Sequence, residues 1–149
     1  IRGLSFAIIN STTIALPAWR DACASHHLKS ILLPHDVATC WNSTFDTLVV
    51  ARKYSAVIDS VTGNKSLKLR RFELSDPQWK IVNDLIFVLN IFKKATLKFS
   101  MDSESTILQV IPMMDVINDF LSQNPKRDLH AAVKASLKLA QATLNCYYS

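Results

Sequence analysis

Apolar residues return every three or four positions along most of this chain, the spacing that lines one face of a helix. The clearest run opens at Ser75-Asp76-Pro77, where a capping serine, an acid in the first turn and an early proline mark a helix start. Its stripe of Trp79, Val82, Ile86, Leu89, Phe92 or Lys93, Thr96 and Phe99 predicts one long helix. Upstream, Phe45, Leu48, Ala51, Tyr54 or Ser55, Ile58 and Val61 form another stripe, entered from Asn42 or Ser43 as cap and stopped by Thr62-Gly63-Asn64. Downstream, Ile107, Val110, Ile111, Met114, Ile117 and Leu121 share a face across 104–122, with Asp115 and Asp119 opposite. Pro112 falls inside that pattern and predicts a kink or a restart. A last stripe, Leu129, Val133, Leu137, Ala140 and Leu144, predicts a helix from Leu129 to about Tyr147.

The beginning of the chain is less regular. Residues 1–10 read as the end of a helix, and Ser11-Thr12-Thr13 interrupts it. Pro17 opens a second helix through Trp19 to about His27, and Pro34 forces Leu33 into an extended conformation. Breaks are expected at Ser100-Met101-Asp102-Ser103 and Asn124-Pro125, and the basic connector from Lys65 to Glu73 has room for a short helix.

Composition narrows the class. The 149 residues, 49% apolar and 19% charged, suffice for one packed domain or a piece of one. Gly3 and Gly63 are the only glycines. Hairpins and phosphate-cradling loops need residues at positive φ, so the expected fold is all-α, a helical bundle, and neither GxGxxG nor GxxxxGK[ST] can be written. No apolar run approaches the ~20 residues of a membrane span. Cys23, Cys40 and Cys146 lie far apart without CxxC spacing, which suggests reduced thiols in a cytosolic or nuclear setting, with no signal peptide. The chain opens on Ile1 rather than Met, so it is expected to be a segment of something longer.

The formal net charge is +5, unevenly spread: residues 1–74 carry nine Lys/Arg against five Asp/Glu, and residues 75–149 eight against seven. The excess is densest at Lys65, Lys68, Arg70 and Arg71. Such a cluster suits a polyanionic partner, and equally a solvated loop.

Candidate chemistry is sparse. Cys23 and His26 have CxxH spacing, with His27, His35 and Cys40 near them in sequence, but a zinc site needs four converging ligands and a second tight pair is missing. A catalytic Cys-His pair would need an orienting third group, and nothing marks one. Asp115 and Asp119, one turn apart, read as a solvated acidic face before a cation site. Trp41 has two readings: a staple between a loop and the helix it precedes, or a flat face for a base displaced from a duplex.

The string Asp36-Val37-Ala38-Thr39-Cys40-Trp41-Asn42-Ser43-Thr44 resembles the Asp-Val-x-Thr-Arg-Trp-Asn-Ser-Thr block of hAT-superfamily DNA transposases, the fungal members and their domesticated relatives in particular. The likeness extends through Leu4 to Ser11 with Leu16 to Arg20, Glu73-Leu74-Ser75 with Trp79, Phe92 to Thr96, Val110-Ile111-Pro112 with Asp115, and Leu144 to Ser149. In that family a ribonuclease-H-like core cuts and joins DNA with three metal-binding carboxylates, and a large helical insertion interrupts the core. The resemblance implies that 1–149 is a single helical domain from that insertion, with 1–35 an N-terminal helical part and 36–149 the Trp block and bundle. Trp41 would then sit beside the DNA end; by charge alone, Arg52 and Lys53 on the following helix and the Lys65, Lys68, Arg70 and Arg71 cluster are the further candidate DNA contacts, as electrostatic support.

The same resemblance places the family's carboxylates outside these residues. It implies no catalysis and no cofactor in this chain, although the parent family uses a divalent metal such as Mg. DNA is the implied partner and the nucleus the implied compartment, with self-association expected of exposed apolar surface and neither a membrane nor a small-molecule substrate. Cys40 stands where the family has Arg, which removes a charge near a phosphate and suits a decayed or repurposed copy. The alternative is a helical protein–protein interaction module that has kept its packing faces and lost DNA contact.

Overall fold

The structure, a computed structural model, describes residues 1–34, 37, 40–100, 106–122 and 127–146, the side chains of residues 99 and 106–110 excepted. Among the described residues the fold is all-α: α1 (Arg2–Asn10), α2 (Ala15–Ser25), α3 (Trp41–Lys53), α4 (Ser55–Gly63), two 3-10 turns (Lys65–Leu67 and Arg70–Phe72), α5 (Asp76–Phe99), α6 (Thr106–Ser122) and α7 (Ala131–Asn145). Packing divides the chain into two compact units, Ile1–Val82 and Asn83–Ser149, so the first 35 residues and α3 share the first unit. Asp36, Ala38 and Thr39 of the Trp block, the breaks expected at 101–103 and 124–125, and Tyr147 lie outside the described residues.

In the first unit, α2 packs on α1 and on α4, and α4 also meets α3 and both 3-10 turns. Leu4, Ile8, Trp19, Cys23, Leu48, Ala51, Tyr54, Val57, Ile58 and Val61 fill the space between them. Gly3 has a packing reason, since a Cβ there would stand 2.8 Å from the Phe72 ring. The segment between α2 and α3 is stitched to these helices by side chains. Ser5 Oγ donates to the Leu33 carbonyl at 3.1 Å, Trp19 Nε1 to Ile31 at 2.9 Å and the Tyr54 hydroxyl to Lys29 at 2.7 Å. Alternate carbonyls face the helices, the period of an extended chain, in keeping with the expectation that Pro34 extends Leu33.

Several boundaries differ from those expected. Pro17 is the third residue of α2, whose N-cap is Ile14; Ser11 Oγ, four residues upstream, accepts the Ala15 N–H at 3.1 Å. The helix expected from Asn42 to Val61 breaks at Tyr54, between α3 and α4. Tyr54 is only 2% exposed, stacks on Trp19 with ring centroids 6.0 Å apart and anchors Lys29, so the break falls where burial and a long-range hydrogen bond coincide. The basic connector holds two 3-10 turns, each of three residues.

Ser75 precedes α5 at the position expected for its cap and forms one half of a capping box: its N–H donates to Gln78 Oε1 at 2.9 Å, and Trp79 N–H donates to the Ser75 carbonyl at 2.9 Å. Trp79 and Val82 are buried in the first unit. In the second unit the buried residues described on α5 are Asp84, Val88 and Ala95, while Ile86, Leu89 and Phe92 of the expected stripe are half-buried.

The second unit packs α6 on α7, with Ile117, Leu121, Leu129, Val133 and Leu137 buried. Pro112 lies inside α6, which runs through it without restarting. Ile111, expected on the core face, is 69% exposed. Asp84 Oδ2 accepts the backbone N–H of His130, the residue capping α7, at 2.8 Å, and Asp84 Oδ1 pairs with Arg127 Nε at 3.5 Å. A carboxylate only 1% exposed is stable here because it meets the positive end of α7 and a guanidinium together. Arg127 also lies over Phe87 at 5.2 Å, and Phe87 packs on Phe120 at 5.8 Å.

Candidate functional site

Trp41 is the first residue of α3, with Cys40 in extended conformation before it. The helix therefore begins a residue or two earlier than Asn42 or Ser43 would have it. Ser43 has another use: its Oγ accepts the Val37 N–H at 2.9 Å and donates to the Cys40 carbonyl at 2.9 Å, folding the approach back onto the first turn. Trp41 is 55% exposed, against 0% for Trp19 and 8% for Trp79. Leu48, seven residues on and nearly in line with Trp41, is buried, so the indole overhangs the end of a packed stripe. Val37 and Val49 are exposed as well. Beside Trp41, the Asn42 Oδ1 is buried with no hydrogen-bond partner, a cost of about 1–3 kcal/mol.

The cations divide into two groups. Arg52 and Lys53 occupy the last turn of α3, where the helix dipole favours positive charge, and both are exposed. Helix geometry puts Arg52 about 16 Å along the axis from Trp41 and about 20° around it, on the same side. The Arg52 guanidinium lies 5.9 Å over the Trp79 ring, and its Nη1 donates to Ser55 Oγ at 3.1 Å. Trp79 Nε1 in turn donates to Asp59 Oδ1 at 3.3 Å. Sequence reasoning missed Ser55 and Trp79 as partners of Arg52, and Asp59 as the partner of Trp79, because no local pattern announces a contact between α3 and α5.

Lys65, Lys68, Arg70 and Arg71 are all exposed on and between the 3-10 turns. Lys68 adopts a left-handed conformation at φ 54, which a lysine enters at a cost of about 1 kcal/mol. The Asn64 side chain holds that turn by accepting the Ser66 N–H at 3.0 Å. Arg70 pairs with Glu73 at 3.5 Å, and Arg71 lies 4.7 Å over Phe72. Lys53, Lys65 and Lys68 form no ion pair among the described residues.

Cys23 is fully buried, and burial pushes its thiol above the ordinary value of 9.0. His26 is exposed at the end of α2, so the CxxH pair divides between core and surface. Asp115 and Asp119 are exposed on α6. Among the described residues no three His, Cys, Asp or Glu side chains are grouped to hold a metal ion, and no helix is long and apolar enough to cross a membrane. Compared with known proteins, the chain matches no family model, no curated protein and no solved structure.

Proposed function

We propose that this chain is a non-catalytic helical fragment of a hAT transposase-like protein, equivalent to much of its insertion domain, that contributes DNA-end contact and scaffolding. The observation that carries the reading is the exposure of Trp41, the tryptophan of the block on which the resemblance rests. Leaving an indole half in water forgoes about 2 kcal/mol of burial. An indole more than half exposed at a helix end offers surface for stacking on an extrahelical base. Arg52 and Lys53 lie along the same helix for phosphates, and Lys65, Lys68, Arg70 and Arg71 add long-range attraction. On this reading the metal-binding carboxylates belong to other segments of a longer protein, the chain has no cofactor of its own, and it works in the nucleus.

The test is anisotropy of labelled duplex and hairpin DNA across a salt series. Binding is expected to weaken steeply with salt, and Trp41→Ala to lose about five- to tenfold in affinity with unchanged thermal stability. Undetectable binding at low salt removes the proposal, as does a Trp41→Ala variant that loses stability and keeps its DNA affinity.

A second reading, an interaction module that associates with itself or another protein, draws on different residues. Ile111 and Val116 on α6 and Leu139 on α7 are 69%, 53% and 70% exposed. Concentration-dependent sedimentation abolished by Ile111→Ser or Leu139→Ser, without DNA binding, is the result that favours it.

A further inference from the structure

We infer that Trp79 and Asp59 are positioning residues that hold the Arg52 guanidinium in place for a DNA phosphate; this deepens the DNA-contact reading and rests on it. A surface arginine ordinarily samples many rotamers, and fixing one on binding costs conformational entropy. Arg52 is restrained from three elements at once. Its own helix, α3, sets the base of the side chain, Ser55 at the start of α4 accepts Nη1–H, and the Trp79 ring on α5 lies under the ion. Trp79 is 8% exposed, so the platform itself is fixed in the core. Asp59 completes the device, since its carboxylate accepts the indole N–H and sets the rotation of the ring. A guanidinium has five N–H donors in a planar fork, and Ser55 uses one nitrogen, which leaves donors for a phosphate oxygen pair.

The exposed position of Asp59 gives this inference a test of sign. If Asp59 acts only through its charge, removing it lessens repulsion of DNA and binding tightens. If it positions Arg52 through Trp79, Asp59→Ala weakens binding even though the net charge rises. The experiment measures hairpin-DNA affinity of the full chain by anisotropy, at several salt concentrations. Asp59→Ala is expected to bind about three- to tenfold more weakly. Asp59→Asn, whose amide oxygen accepts the same N–H, is expected to bind at least as well as the parent. Ser55→Ala repeats the loss without altering charge, so the outcome does not hang on one variant. Arg52→Ala lowers the salt slope by about 0.9, the contribution of one phosphate. With 5-fluorotryptophan incorporated, the Trp79 fluorine resonance shifts on DNA addition and stays still in Arg52→Ala. The positioning role is overturned if Asp59→Ala binds as tightly as the parent or tighter, or if DNA binds while the Trp79 resonance is unmoved. A Trp41 resonance unmoved by DNA, with no binding in anisotropy, removes the DNA reading itself and the positioning role with it.

Discussion

Replacing Tyr54 by Phe deletes a single oxygen from the best-anchored point of the first unit. That hydroxyl donates to the Lys29 carbonyl at 2.7 Å, and the side chain is 2% exposed. The ring and its stacking on Trp19 remain, so no cavity opens and the loss is polar. A hydrogen bond of this kind contributes about 1 kcal/mol net, and stranding its acceptor raises the cost toward about 2 kcal/mol. With a urea dependence of about 1.5 kcal/mol/M, the midpoint falls by about 1 M. Trp19, Trp41 and Trp79 all lie within Ile1–Val82, so tryptophan fluorescence reports this unit specifically, whereas far-UV circular dichroism sees both. The shift is therefore expected in fluorescence at unchanged slope. Ser5→Ala, which frees the Leu33 carbonyl, is expected to add to it within about 0.5 kcal/mol, because Trp19 still holds Ile31 between the two sites. A Tyr54→Phe midpoint within about 0.2 M of the parent would falsify the idea that these side-chain bonds hold the segment entering the Trp block.

Asp84→Ala tests the second unit. It removes the acceptor for the His130 N–H and leaves Arg127 without its carboxylate, at a cost of about 2 kcal/mol; the helical dichroism should melt earlier while the fluorescence transition stays in place. Thiol labelling tests burial: Cys40 and Cys146 should react promptly in the native protein and Cys23 only on unfolding, and equal rates for all three would contradict the packing. Burial also raises the Cys23 thiol above 9.0 and, with the neighbouring Cys23 charge as a smaller cause, the Tyr54 phenol above 10.0. In both groups the unfolded chain gives up its proton first. The stability they contribute is complete below pH 9 and is lost as pH rises through the raised values, and Tyr54→Phe should flatten that alkaline decline; a midpoint constant from pH 8 to 11 would argue against it.

The amino-acid sequence determined by itself that the chain is helical, and where most helices lie. Two glycines, strong signals at Ser75-Asp76-Pro77 and stripes at helical spacing are local properties, and local backbone physics suffices to read them. Only tertiary packing decided the rest. The break at Tyr54 follows from a hydrogen bond to a residue 25 positions away. Ile111 fits its stripe yet is 69% exposed, because periodicity names a face without saying how far the neighbouring helix covers it. Trp41, Arg52 and the basic connector were legible as an aromatic beside a run of cations. That Trp41 overhangs its stripe while Trp19 and Trp79 are buried was not, since burial depends on which surfaces meet. The restraint of Arg52 by Trp79, Ser55 and Asp59 was equally hidden, because it joins helices whose encounter no short window of sequence contains.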